Sequence, residues 1–562
     1  MRPLGQILIE RGIISASQLE EALARQQALP GRRIGEILID AGWVSPADVL
    51  KALGVQYQCE VLDIIPPEML DSELVSSLPV EWARSHEMLP VRHREQPAVL
   101  TADPTRINEQ DDLSLLTGCP LIPVLALPGL IREAIENCYF MRRETASEVM
   151  AGLPAPEAVQ PSAAAGATDL LAVATDAPVT RLVNLILLEA VRRRASDIHI
   201  EPLEDSLRVR YRIDGMLYEQ SAPPRHFEAA LVSRLKVMGH LDIAEKRLPQ
   251  DGMARVSVGE RDIDIRISTI PVAEGERIVL RLLNRESTLL PLGRLGMPDH
   301  VLRPFGMLLK LNHGAIWVTG PTGSGKTTTL YAALQELDSE HLNILTIEDP
   351  VEYQLAHISQ ISVKPKIGLT FAQGLRHILR QDPDIILVGE TRDLETAEIA
   401  VRASLTGHLV FSTLHTNDAI GAIVRLVDMG IPRYLVSAAT SGVLGQRLIR
   451  TLCPECRKPM ELSAEDAAGL GPCAQRLKGQ PVYDAGNCSA CMSGYSGRTG
   501  IYELLMMDDA IRDAIRHEAD LMALNRAVAG RGFSPLTEDA VEKIQQGITS
   551  PAEVLRVLGR FP

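Results

Sequence analysis

Gly320-Pro321-Thr322-Gly323-Ser324-Gly325-Lys326-Thr327-Thr328 contains the pattern G-x-x-x-x-G-K-[ST], with one glycine more than the pattern requires. Before it, Ala315-Ile-Trp-Val-Thr319 reads as a buried strand. After it, Thr327-Thr-Thr-Leu-Tyr-Ala-Ala-Leu334 reads as the start of a helix. A phosphate chain needs backbone N–H donors at close range, which the glycines permit. It needs a point charge for its β and γ oxygens, from Lys326, and a hydroxyl for its Mg²⁺, from Thr327. Residues 320–328 therefore predict a site for a nucleoside triphosphate with Mg²⁺.

The flanking sequence fits that site. From about Leu292 strand patterns alternate with helical ones, and Ala315–Thr319, Ile344–Ile347, Ile385–Val388 and Leu409–Ser412 predict an α/β core with a largely parallel sheet. Thr346-Ile-Glu348-Asp349-Pro-Val-Glu352-Tyr ends one strand in carboxylates. Attack on a γ-phosphate needs a water oriented or deprotonated by a carboxylate, and Glu348 is the candidate; an acidic turn capping a helix is the plainer alternative. Asp384-Ile-Ile-Leu-Val-Gly389-Glu390 ends like a Walker B segment, with glycine where aspartate is usual. Glu390 is then expected to act on Mg²⁺ or through its water, and Arg392 with Asp393 reads as a surface pair. Thr406-Gly-His408 to His415-Thr-Asn417 is a strand between two histidines. His415, beside the phosphate loop, is a candidate γ-phosphate sensor or a hydrogen-bonded structural residue.

The formal net charge of -15 argues against general nucleic-acid binding, and 46% hydrophobic with 23% charged residues is ordinary for a soluble chain. Met1-Arg-Pro-Leu-Gly runs straight into an amphipathic helical pattern, so no secretory leader is expected. No apolar run reaches the roughly eighteen residues a membrane span needs. The expectation is a cytosolic protein that docks on a membrane complex. Of eight cysteines, Cys59, Cys119, Cys138 and Cys473 are scattered. Cys453-Pro-Glu-Cys456 and Cys488-Ser-Ala-Cys491 form two knuckles thirty-one residues apart. Four soft thiolates at that spacing predict a closed, structural Zn²⁺ site.

Towards the N-terminus, Pro3-Leu-Gly5 to Gly12-Ile-Ile-Ser15 repeats thirty residues later as Arg33-Ile-Gly35 to Gly42-Trp-Val-Ser45, each serine an expected helix N-cap. Residues 1–145 are expected to form a regulatory or docking domain with these two repeats. Residues 146–175, Ala-, Pro- and Gly-rich around 152–167, are an expected flexible linker. Residues 176–290 predict a small α+β domain: a helix over Val179–Arg193, strands around Ser196–Pro202 and Leu207–Ile213 joined at Asp214-Gly215, and strands at Arg261–Ile267 and Arg277–Leu283. Arg212, Arg266 and Arg281 on these strands are candidate arginine fingers; ordinary surface ion pairing is the alternative. Residues 291–562 are the expected ATPase core, with the tetracysteine insertion at 450–495 and C-terminal helices.

Together these segments resemble the ATPases that power type II secretion and type IV pilus assembly. The resemblance runs from about Asp176 to Tyr502. It includes Ala195-Ser-Asp-Ile-His-Ile-Glu-Pro202, Leu241-Asp-Ile-Ala-Glu-Lys-Arg-Leu-Pro-Gln-Asp251, the phosphate loop, an "Asp box" at Glu348, Gly389-Glu390, a "His box" at 406–417, and Gly445-Gln-Arg-Leu448 before the first knuckle. It implies a multidomain α/β chain: a RecA-like P-loop core, a small PAS-like α+β domain before it, an N-terminal helical-repeat α+β domain and a zinc insertion. It implies a cytoplasmic hexamer, peripheral to the inner membrane, that hydrolyses ATP to assemble a pseudopilus. Its partners would be a bitopic docking protein and a polytopic platform protein, with no nucleic acid. Segments such as Ala403-Ser-Leu-Thr-Gly-His408 favour the type II branch, with a pilus extension motor as the alternative. A non-catalytic scaffold gated by nucleotide is the alternative of a different class. Met253 stands where the family pattern has arginine, with Arg255 close by as a substitute. The repeats resemble a domain that binds cyclic di-GMP, although the first copy has Pro3 where the family repeat begins with arginine.

Overall fold

Gly314–Thr319 is buried along its whole length, and its alternate side chains feed two different cores. Ala315 and Trp317 enter one; Ile316 and Val318 enter the other. A central parallel strand with helices on both faces behaves this way. The computed structural model describes residues 2–28, 31–75, 78–140, 168–169, 178–258, 261–284, 290–517, 521–529 and 531–560. They fall into two units, Met1–Glu286 and Ser287–Pro562.

In the first unit the repeats form two helix pairs, Leu4–Glu10 with Ala16–Ala28 and Ile34–Asp40 with Pro46–Tyr57. Gly12 and Gly42 hold equivalent left-handed positions, φ 71° and 70°, where a side chain would be strained. Ser15 and Ser45 then cap the second helix of each pair by accepting from the N–H of Gln18 and Asp48. A small sheet follows: β1 (Glu60–Leu62), β2 (Met88–His93), β3 (Gln96–Thr101) and β4 (Ile122–Ala126), in the order β1-β4-β3-β2.

Of the linker expected over 146–175, only Thr168–Asp169 is described. These two residues form β5, which pairs with Val256 and Ser257; the rest of that segment lies outside the described residues. The second sheet of this unit contains β6 (Asp197–Pro202), β7 (Leu207–Ile213), β8 (Met216–Ser221), β9 (Gln250–Val258), β10 (Arg261–Val272) and β11 (Gly275–Asn284). Their order is β5-β9-β10-β11-β6-β7-β8. Period-2 patterning sorts its two faces: Ile198, Ile200, Val209, Tyr211, Ile265 and Leu280 are buried, while the arginines share the other face.

In the second unit the sheet order is β14-β13-β15-β16-β12-β17-β20, built from β12 (Gly314–Thr319), β13 (Ile344–Glu348), β14 (Ser359–Ser362), β15 (Ile385–Val388), β16 (Leu409–Leu414), β17 (Thr440–Leu452) and β20 (Tyr495–Met506). All neighbours are parallel except β17 and β20. Between these two strands lies an insertion with its own hairpin, β18 (Lys458–Met460) and β19 (Val482–Asp484). The helices Leu536–Gln545 and Pro551–Leu558 close the insertion's core through Ile544 and Val554. Among the described residues no helix is long and apolar enough to cross a membrane.

Candidate functional site: a phosphate loop with two carboxylates

Strand β12 delivers the chain into the loop at Gly320, and the helix Lys326–Gln335 carries it away, with left-handed Gly325 (φ 85°) as the N-cap residue. Helix N–H groups therefore open towards the loop, where an anion is favoured. Pro321, Thr322, Gly323, Thr327 and Thr328 are exposed, whereas Gly320, Ser324 and Lys326 are buried. The Lys326 ammonium donates to the carbonyls of Gly320 (2.7 Å) and Pro321 (3.0 Å), its only local acceptors within the loop. Burial pulls its pKa down to about 8, and the Glu390 carboxylate opposes that shift. A phosphate would replace the two carbonyls as the partner of this desolvated cation. Thr327 offers an exposed hydroxyl one residue further on, suited to Mg²⁺.

Glu348 ends β13 and is only 4% exposed. Its carboxylate accepts from the hydroxyl of Thr346 (2.5 Å), the amide of Gln360 (3.2 Å) and the hydroxyl of Tyr331 on the phosphate-loop helix. Burial, reinforced by Glu348, pushes the Tyr331 hydroxyl well above its ordinary pKa, so it stays protonated and donates. The alternative of an acidic helix-capping turn does not describe Glu348, which sits inside a strand network. Gly389 follows β15 on the neighbouring strand, and a Cβ there would lie 3.2 Å from the Glu348 Cα. A side chain at this position, where Walker B segments usually have aspartate, would therefore require the β13 backbone to give by a few tenths of an ångström.

Glu390, next along, is paired with Arg392 at 2.7 Å and lies 3.7 Å from the His415 ring. Arg392 thus pairs with Glu390 rather than Asp393. Asp393 instead caps the helix Leu394–Leu405 by accepting from the N–H of Thr396 (2.8 Å). Burial and the positive Lys326 hold the pKa of His415 below its ordinary value, against the opposing pull of Glu390, which favours the neutral ring. His408 is structural: its ring bonds the Ala403 carbonyl at 2.9 Å and the Thr406 hydroxyl. Strand ends therefore bring Lys326, Glu390 and His415 together from three separate segments, as doubly wound sheets do at their carboxyl edge.

Tyr331, Gln360 and Thr346 escaped the sequence reading as site residues. They belong to no spacing pattern, and only the fold places them on Glu348.

In the first unit the three candidate arginines form one cross-strand row. Arg266 pairs in register with Arg281, Arg281 with Asp197, and Asp197 with Arg212. Asp197 is shared by Arg281 (3.1 Å) and Arg212 (3.7 Å). Among the described residues Arg266 has no carboxylate partner. Met253 lies opposite Arg266 on β9, and Arg255 is tied to Asp264 at 3.2 Å. A second acid, Glu201, gathers Arg208, Arg210 and Arg277.

The sulfurs of Cys453, Cys456, Cys488 and Cys491 all lie within 4.8 Å of one another, with closest pairs at 3.5–3.8 Å. Four sulfurs 2.3 Å from a tetrahedral ion are separated by about 3.8 Å, so the set fits a metal ion with no open position. Cys473 packs into the apolar core of the insertion and stands outside the set.

Comparison with known proteins places this geometry. The model of the type II/IV secretion system protein family matches residues 172–556, and the MshEN domain model matches 57–145. The chain is 46% identical over 498 residues to type II secretion system protein E of Dickeya dadantii, covering 86% of this chain and 97% of that protein. It is 52% identical over 391 residues to type II secretion system ATPase E of Vibrio cholerae (69% and 77% covered). It is 41% identical over 559 residues to the type IV pilus assembly ATPase PilB of Myxococcus xanthus (98% of each). A phosphate loop and two strand-end carboxylates, inside a match that spans most of the chain, show that the protein belongs to the type II/IV secretion system ATPase family.

Proposed function

We propose that this protein hydrolyses ATP as a subunit of a hexameric ring and drives pseudopilus assembly in a type II secretion system. What supports the reading is that the phosphate loop with Lys326 and Thr327 follows β12, while Glu348 ends β13 and Glu390 follows β15, all at the carboxyl edge of one parallel sheet. Pure nucleotide binding has no need of the two carboxylates, which weighs against a non-catalytic scaffold. Lys326 takes the β and γ oxygens, and Thr327 holds Mg²⁺. Glu348 activates the attacking water, and Glu390 acts on the metal or its water. Neutral His415 reads the γ-phosphate. Arg266, with Arg281 and Arg212 beside it, reaches the nucleotide of a neighbouring subunit. The four cysteines hold a structural Zn²⁺.

Identities of 46% and 52% to type II secretion proteins favour that system. A pilus extension motor is the second reading, favoured by the 98% mutual coverage with the pilus ATPase. The N-terminal domain docks on the cytoplasmic part of the membrane apparatus, holding the ring at the inner membrane. Cyclic di-GMP is its second possible ligand; Arg33, bonded to Asp103 (2.5 Å) and Thr105 (3.2 Å), would have to turn away from both to meet it.

The test is ATP turnover by purified protein over a concentration series, with and without the cytoplasmic domain of a candidate platform protein. Turnover per chain that rises with concentration or partner supports the ring. Tight ATP binding without turnover under every condition would favour the scaffold.

A further inference from the structure

Gln446 lies on β17, away from the segments that define the nucleotide site, and is 2% exposed. Both ends of its side-chain amide are used on the phosphate loop and its helix. The Nε2 group donates to the carbonyl of Ser324 at 2.7 Å, and Oε1 accepts from the hydroxyl of Thr329 at 2.8 Å. Gln446 also abuts the loop's first and last glycines. A Cβ on Gly320 would lie 2.3 Å from the Gln446 carbonyl oxygen, and one on Gly325 would lie 2.8 Å from its Nε2. The loop is thus moulded on this one residue.

The geometry has a direct consequence for anion binding. A trans peptide points its C=O and N–H in opposite directions. Pinning the Ser324 carbonyl back against Gln446 turns the N–H of Gly325 the other way, into the hollow of the loop. Among the described residues that N–H has no acceptor. Successive inward N–H groups of this kind make an anion nest, and each must be aimed before the phosphate arrives. Thr329, locked by its own bond to Oε1, fixes which way round the amide stands, so the nitrogen faces Ser324.

Resting on the reading of 320–327 as the nucleotide loop, we propose that Gln446 is a positioning residue for nucleotide binding: it sets the Ser324–Gly325 peptide so that the Gly325 N–H meets the phosphate chain. It touches no reacting atom and acts through the loop.

The experiment is nucleotide binding to the full-length protein, measured with ATP and with ADP, together with steady-state turnover. Gln446→Met keeps the volume and removes both hydrogen bonds. Gln446→Glu keeps an acceptor for Thr329 but sets an oxygen against the Ser324 carbonyl. Each is expected to raise the Kd for ATP and ADP alike by about tenfold, and KM with it, while kcat at saturating ATP changes by less than about threefold. Thr329→Val is expected to weaken both nucleotides by about threefold, and Thr329→Ser to restore them. A merely structural residue would lower the melting temperature and leave Kd alone. Folded variants with unchanged Kd, or a loss confined to kcat, would overturn the proposal. If the Gln446 variants do not fold, equal Kd values for Thr329→Val and Thr329→Ser overturn it. Wild-type protein that binds no nucleotide would instead remove the loop reading itself.

Discussion

The hydroxyl of Tyr331, on the helix that leaves the phosphate loop, donates to the carboxylate of Glu348 at the end of β13. The residue expected to activate water is therefore braced by the element that binds the phosphates, so loop geometry and base geometry are linked. Tyr331→Phe removes that donor and leaves Thr346 and Gln360 to hold Glu348. The expected result is a fall in kcat of about tenfold with ATP affinity nearly unchanged, and a stability loss of about 1–2 kcal/mol. In the Glu348→Gln background the same change should reduce turnover no further, which a double-mutant cycle would read.

The last helix, Pro551–Leu558, is anchored to β17 through a buried charge cluster. Glu553 accepts from Arg450 (2.7 Å) and Arg556 (2.7 Å), and the Arg450 guanidinium lies 3.9 Å over the Tyr495 ring. Burial works to raise the Glu553 carboxyl, but the hydrogen bonds from Arg556 and Arg450 hold it below its ordinary value of 4.5. A depressed carboxyl contributes stability that is complete above that value and is lost as pH falls through the folded one. Glu553→Gln should destabilise the second unit by about 3 kcal/mol at pH 7. Chemical denaturation at a series of pH values should show the gap between variant and wild type closing below about pH 4.5.

Cys453 follows β17 and Cys491 precedes β20, so a metal held by the four cysteines would clamp the two strands where the insertion leaves the sheet. About one zinc per chain is expected by elemental analysis. Replacing Cys456 and Cys491 by Ser should remove the zinc and make the insertion sensitive to limited proteolysis, while the sheet β12–β17 keeps its thermal transition. Folded, protease-resistant protein without metal would contradict this.

Arg266, Arg281 and Arg212 share one row, yet two of them already share Asp197. The expected consequence is a split. Arg266→Ala should lower turnover about a hundredfold in assembled rings without shifting the melting temperature, since no carboxylate among the described residues loses its partner. Arg281→Ala should lower both. Turnover and thermal unfolding measured on the same preparations separate the two cases.

Contiguous patterns were legible in the sequence. The knuckle spacing of the four cysteines anticipated sulfurs that the fold gathers within 4.8 Å. The alternation of β12 to β16 with helices anticipated a parallel sheet, because buried strands read as short apolar runs. Contacts made across the fold were not legible. Gln446 and Ser324 are 122 residues apart, and Tyr331 and Glu348 meet only because the helix after β12 converges with a strand three positions from β12 in the sheet. Asp393 read as a surface charge because its N-cap role depends on where the next helix starts, which composition alone leaves open. The arginines could be placed on strands from the sequence, but not in one row, because register, which aligns Arg266, Arg281 and Arg212, is a property of pairing and not of any one strand.

The most direct test of ATP hydrolysis at this site is the comparison of wild type with Glu348→Gln, measuring turnover and ATP binding on the same full-length preparations. The expected result is a loss of turnover of at least about a hundredfold with ATP affinity within about threefold of wild type. A Glu348→Gln protein that hydrolyses ATP at the wild-type rate would contradict the account.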